Sequence, residues 1–226
     1  MSPLAQALHD ERLAIALATT AGFVDAYGFI HYQAYLSYMS GNTTLAGMFL
    51  GQRNVATFVP LAAAIISFLA GVFSGALFLH AAPMRERRSI FAVIAAALGL
   101  IAVLTIADVL PAIVAVIVIS FTMGALNTSL SHIGSQSINL TFVTGTLSRL
   151  GSHLADATLR VPLKNAAGPW DTHWHRARQL AIIWCGFFLG AVVSAAAAPW
   201  TGTWGLLVPA LWLAVLYAAD SAPAMS

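Results

Sequence analysis

Residues 22–50 read GFVDAYGFIHYQAYLSYMSGNTTLAGMFL, and the fold turns on how this stretch meets a membrane. It opens as the second half of an apolar run that began at Leu13, with an acid, Asp25, in the middle. The aromatic stretch Tyr35–Met39 follows, with extended character. Ser40–Leu50 then reads as a helix headed by glycine and hydroxyl residues. At about 1.5 Å per residue it reaches only some 15–20 Å, around half the hydrocarbon core. It is too short to cross and too apolar to be an ordinary surface turn.

A second stretch, residues 124–154, reads GALNTSLSHIGSQSINLTFVTGTLSRLGSHL. Gly22 aligns with Gly124 and Asp25 with Asn127. After a gap of two, Ser40-Gly41-Asn42-Thr43 aligns with Thr144-Gly145-Thr146-Leu147, and Gly47 with Gly151. Further on, GVFSGA (71–76) matches GFFLGA (186–191). The extended stretch Ile138–Val143 and the short segment Thr144–Ala157 thus repeat the pattern of the first half.

The rest of the chain is apolar enough to put both stretches in a bilayer. Hydrophobic residues make up 59% and charged residues 8%, against roughly 25% charged in ordinary soluble domains. Six blocks approach the roughly 20 residues a crossing needs: Leu13–His31, Val55–His80, Ser89–Ala107, Val109–Leu130, Ala177–Ala198 and Thr203–Ala219. Asp10 and Glu11 before the first block argue against a cleavable signal, so that block reads as a retained helix. The expected fold is an all-α polytopic membrane protein: six transmembrane helices plus two short re-entrant half-helices.

Charge sets the orientation. If the short segments do not cross and the N-terminus is cytoplasmic, Arg12, Arg85, Arg87, Arg88, Arg160, Lys164, Arg176 and Arg178 all fall inside, and Arg53 alone falls outside. If both crossed, the Arg85/Arg87/Arg88 cluster would face away from Arg12. Both ends are therefore expected in the cytoplasm. Residues 1–108 and 109–226 each hold three crossings and one half-helix. An odd number of crossings makes the second half enter from the opposite side, as an inverted repeat within a single membrane domain.

A non-helical stretch is tolerated at membrane depth only where protein or a water-filled cavity surrounds it. Such a stretch would bring each half-helix N-terminus near the midplane, with Ser40 and Thr144 as caps. Unpaired amides and partial positive charge there suit an anion or a carboxylate. Ser40, Gly41, Asn42, Thr43, Thr144, Gly145 and Thr146 are the expected substrate-binding residues. The bland alternative is two caps packed together with no ligand.

Asp25 at a span centre costs about 2.5–3.5 kcal/mol on insertion scales, so it needs a partner or a job. Three roles are open: an ion pair of Asp25 with Arg149, proton uptake by Asp25 coupled to solute movement, or neutralisation of an anionic solute by Arg149. Asn127 stands in Asp25's place in the second half, and His31 and His132 are nearly matched by the repeat. His173-Trp174-His175 has alternate spacing and no second ligand cluster, so no metal site is expected. Trp170, Trp174, Arg176 and Arg178 read as an interfacial anchor. Gly71/Gly75 and Gly186/Gly190 permit close helix approach, either between the repeats or in a homodimer. Cys185, the sole cysteine, reads as packing, and no intrachain disulfide is possible.

No nucleotide loop, paired-cysteine metal site or serine nucleophile in a strand–turn–helix context appears. An enzyme, a resident cofactor and a nucleic-acid partner are therefore not expected. AGFVDAYGF (21–29), YMSGNTT (38–44) and FVTGTL (142–147) resemble the bacterial YoaK-like family of small membrane proteins of unknown function. The resemblance covers nearly the whole chain and implies a polytopic inner-membrane protein of this size. The extended-stretch-plus-half-helix plan is also similar in architecture to nucleobase and sulfate-type anion transporters. The leading expectation is a secondary transporter, or a channel, for a small anionic or polar solute. The alternative is a non-transporting scaffold or accessory subunit.

Overall fold

The computed structural model describes residues 3–81, 87–129, 132–133, 136–137, 143–164 and 166–221. Among these the chain forms eight α-helices: α1 (Pro3–Tyr32), α2 (Met39–Gly51), α3 (Val55–Ala81), α4 (Arg87–Ile106), α5 (Ala112–Ser129), α6 (Val143–Thr158), α7 (His173–Thr201) and α8 (Leu207–Ser221). The 3₁₀ segment Gly202–Leu206 leads into α8, and Gly202 adopts the left-handed φ of +49° that glycine enters without steric cost. A two-residue antiparallel pairing, β1 (His132–Ile133) with β2 (Gln136–Ser137), follows α5 and has no counterpart in the sequence expectations. Among the described residues three stretches are long and apolar enough to cross a bilayer: Asp10–Tyr32, Val55–Ala81 and His173–Ala218, the last spanning α7 and most of α8. Ala92–Ile106 and Ala112–Thr128 are shorter apolar helices. The chain is thus a helical, multi-pass membrane protein.

The faces of α3 show why. Leu61, Ala64, Gly71 and Gly75 are buried, while Ile66 and Leu69 are 68% and 67% exposed, with Phe73 and Leu77 continuing the stripe. A soluble helix places large apolar side chains inward and small polar ones outward. Here the large ones face out, where lipid is the natural solvent.

Contacts divide the chain into two compact units, Met1–Gly22 with Leu130–Gly190, and Phe23–Ser129 with Ala191–Ser226. The division cuts across the two sequence halves because helices pair between halves. In the first unit α1 packs on α7: a Cβ at Gly22 would strike the carbonyl of Phe187, and one at Gly186 would lie 3.0 Å from Thr19 Oγ1. In the second unit α3 packs on α5: a Cβ at Gly71 would strike the carbonyl of Phe121, and one at Gly124 would strike that of Phe68. These glycines let backbones touch, so Gly71, Gly75 and Gly186 are spent on contacts within the chain.

Both pairs run parallel. Along α3 and α5, Gly71 meets Phe121 and Gly75 meets Ala125 and Thr128. Along α1 and α7, Gln179 Nε2 donates to buried Glu11 at 3.1 Å near the helix starts, and Gly22 meets Phe187 further on. In the second unit α4 also packs against α5 and α8.

Four helices end on a non-glycine residue in the left-handed region: Gln33, Arg53, Asp108 and Arg160, at φ of 54°, 58°, 54° and 55°. After α2, Asn54 N–H donates to Phe49 O at 2.9 Å; after α6, Val161 N–H donates to Asp156 O at 2.9 Å. This is the six-to-one bond of a Schellman cap, which satisfies carbonyls the helix leaves open. An arginine beside each C-terminus also complements the helix dipole.

Candidate functional site

The tip of α2 is built by residues 33–38. Gln33 breaks α1 with its left-handed φ, and Ala34 and Leu36 turn inward and are fully buried. Ala34, Ala46 and Leu61 form a small core against which Leu45, Phe49, Phe58 and Ile65 pack, so α2 is seated on α3. Two polar side chains then fix the loop. Asn42, fully buried, accepts the Tyr35 N–H at 2.9 Å and donates to the Tyr35 carbonyl at 2.6 Å. Asp25, buried in α1, holds the other end.

The Asp25 contacts define the site. Its Oδ1 accepts the backbone N–H groups of Leu36, Ser37 and Tyr38 at 2.9, 2.6 and 3.1 Å. Its Oδ2 accepts the Ser37 hydroxyl at 2.7 Å. Three successive amides and a hydroxyl converging on one carboxylate make an anion cradle. The protein's own side chain occupies it. Neither Ser37 nor the amides 36–38 stood among the expected site residues; a hydroxyl two residues before the helix was the only signal.

The expected residues are placed as follows. Ser40 does not cap α2: the helix starts at Met39, Tyr38 is the N-cap residue, and its own side chain makes no capping bond. Thr144 likewise lies inside α6, which starts at Val143. Read as caps, Ser40 and Thr144 put both helix starts too late, because a serine or threonine is also tolerated in a helix's first turn. Ser40 and Thr43 are exposed, and the Thr43 hydroxyl donates to Met39 O at 2.8 Å. Gly41 is partly buried; a Cβ there would come within 2.6 Å of the Tyr38 ring and 2.9 Å of the Tyr35 ring. Those rings meet edge to face at 5.3 Å, and Tyr35 stacks on Phe29 at 4.9 Å.

Along α6, Thr144 is exposed, Gly145 partly buried, Thr146 buried and Arg149 exposed. Position by position, Ser40-Gly41-Asn42-Thr43 and Thr144-Gly145-Thr146-Leu147 share the sequence exposed, partly buried, buried, exposed. Asn127 is partly buried and its Oδ1 is buried with no hydrogen-bond partner among the described residues. The segment that would mirror the Asp25 cradle, Ile138–Phe142, lies outside the described residues, as does the side chain of His132. The His31 ring lies tilted against that of Tyr27, centroids 4.4 Å apart, and its Nε2 is buried without a partner among the described residues.

In the first unit the start of α7 is firmly tied. Arg176 donates to both oxygens of Asp171, from Nε at 2.8 Å and Nη2 at 2.7 Å, and Ala167 N–H donates to Asp171 at 2.8 Å. The Arg176 bond, together with that amide, holds the Asp171 carboxyl below the usual carboxylate range. Trp174 is exposed while Arg176 is buried, so of the expected interfacial anchor Arg176 serves inside the protein.

Residues 13–219 match the family described as "Protein of unknown function (DUF1275)". The chain belongs to this family. A DUF1275 relative, the UPF0700 transmembrane protein RA0705 of Rhizobium meliloti (strain 1021), is 32% identical over 208 residues, covering 92% of this chain and 84% of that protein. No solved structure matches the chain. Membership of an uncharacterised membrane family agrees with the YoaK-like resemblance read from 21–29, 38–44 and 142–147.

Proposed function

We propose that this DUF1275 chain is a secondary transporter for a small anionic or polar solute, built as an inverted duplication, with a solute site at the tip of the α2 half-helix. The observation that carries the reading is the cradle of Leu36, Ser37 and Tyr38 amides closed on Asp25. The loop binds a carboxylate, and the carboxylate belongs to a residue at membrane depth that can take up a proton. A protonated Asp25 is a weaker acceptor and frees the amides for a solute anion; loss of the solute lets the ionised side chain return. Proton and anion then move together with little net charge, which is favourable across a low-dielectric path.

Helix pairing supports the duplication. With α1 matched to α5, α3 to α7 and α4 to α8, the α1–α7 pair corresponds to the α5–α3 pair. The correspondence reaches individual contacts: Gly71 meets Phe121 and Gly186 meets Thr19, positions matched by the same alignment that equates Gly22 with Gly124. Parallel α1 and α7 favour α2 and α6 behaving alike: both cross, or neither does. Their lengths, about 20 and 24 Å at 1.5 Å per residue, and the arginine distribution favour neither, with cytoplasmic termini in an inner membrane. A homodimer would use the exposed apolar faces rather than the glycine stripes, which are occupied within the chain.

The test is uptake by the purified chain in proteoliposomes, using sulfate, phosphate, formate and short carboxylates under an imposed pH gradient. Wild type accumulates at least one of them when the uptake-side medium is acidic. Asp25→Asn, which keeps an acceptor but no exchangeable charge, loses the pH dependence. A wild-type chain that moves none of these anions, with no thermal stabilisation by any, would leave the scaffold role in its place.

A further inference from the structure

We propose that His153, Asp156 and His173 form a divalent transition-metal site, suited to Zn²⁺, that clips α6 to the start of α7. The ligand atoms of all three lie within 4.8 Å of one another. His153 Nδ1 and His173 Nδ1 are 2.9 Å apart, and Asp156 Oδ2 is 3.7 Å from His173 Nδ1. Tetrahedral zinc with ligands at about 2.0–2.2 Å needs donor atoms about 3.3 Å apart, a spacing these two distances bracket.

Hydrogen bonding alone serves the cluster poorly. Two imidazoles make one N–H···N bond, and the carboxylate at 3.7 Å is beyond hydrogen-bond reach. A cation bridging the three groups engages every one of them, and two imidazoles with a carboxylate are a borderline-metal donor set.

The frame is already built. His153 and Asp156 are three residues apart on α6, so one helical face presents both. His173 is the first residue of α7, and Thr172 Oγ1 accepts the His175 N–H at 3.1 Å, capping that helix. The nearby Arg176 cation is neutralised by Asp171 at 2.7 Å. The His173 side chain is 11% exposed and that of Asp156 43%, so the carboxylate can swing and an ion has a way in. Three protein ligands leave one tetrahedral position for water. His175 is not part of the cluster; its ring meets Trp170 edge-on at 5.4 Å. The sequence offered His173 and His175 as an isolated pair, whereas the partners of His173 come from α6.

The full-length chain, metal-stripped in detergent, is titrated with Zn²⁺ by calorimetry and with Co²⁺ by visible absorption. One ion per chain is expected, with the absorption of a four-coordinate site. His153→Ala and His173→Ala should each weaken binding by about 100-fold or more, Asp156→Asn by about 10- to 100-fold, and His175→Ala not at all. His153→Gln and His173→Gln keep the volume and serve where the alanine variants do not fold. Absence of saturable binding to wild type, or equal binding by His153→Gln, His173→Gln and wild type, overturns the site.

Discussion

Where α2 ends, Arg53 turns left-handed and Asn54 donates back to Phe49; where α6 ends, Arg160 and Val161 repeat the arrangement with Asp156. The first residues of the two helices also share one burial pattern. The chemistry beside them differs. Asp25 in α1 is ionisable and fully engaged by the loop before α2, whereas Asn127 in α5 is neutral and its Oδ1 has no partner among the described residues. Along its length α2 carries no charged residue, while α6 carries Arg149, His153 and Asp156. The two helices thus share cap geometry and a burial pattern while the groups they carry differ.

The largest expected effect separates Asp25 from Asn127. Asp25→Ala strands three amides, two of them buried, and a buried hydroxyl and should cost about 3–5 kcal/mol, while Asp25→Asn costs about half of that. Asn127→Ala should cost under about 1 kcal/mol. Equal losses, measured by unfolding in mixed micelles, would erase the asymmetry.

Next comes Asn42. Replacing it with alanine leaves both the N–H and the carbonyl of Tyr35 unpaired and should cost about 2–3 kcal/mol in the same unfolding assay. Ser40→Ala, at an exposed position two residues away, should stay within about 0.5 kcal/mol. A large Ser40 effect would restore it as a working residue of the tip.

Gly41→Ala drives a methyl against the Tyr35 and Tyr38 rings and should cost about 1–3 kcal/mol. Loss of uptake with an unchanged melting temperature would instead mark Gly41 as a solute contact.

The smallest effect tests what α2 and α6 share. Among the described residues nothing lies within 4 Å of a Cβ placed at Gly47 or at Gly151. Alanine at either should therefore stabilise its helix by about 0.5–1 kcal/mol through propensity alone. Unequal results would show that these matched positions face different surroundings.

Much of this was legible in the residues. Long apolar blocks, few charges and the two half-length segments announced a helical membrane protein, because a bilayer selects length and hydropathy directly. The Gly22/Gly124 and Gly71/Gly186 matches were visible as well, though their contacts were not. The sequence offered Arg149 as one possible partner for Asp25, since a charge at depth invites an opposite charge. Backbone amides are the same in every sequence, so no letter marks the cradle they form. Ser40 and Thr144 were read as caps for a related reason: a hydroxyl near a helix start does not say which residue turns first.

By itself, then, the order of side chains determined which segments leave water, how long they are and where the acid sits within them, since transfer into lipid is close to a sum over residues. Tertiary structure alone decided that Asp25 faces a loop 11–13 residues onward, that Asn42 braces Tyr35, and that His173 meets α6. Those are matters of direction and distance. They depend on where the chain turns at Gln33, Arg53 and Arg160, and on which backbones the glycines allow to touch.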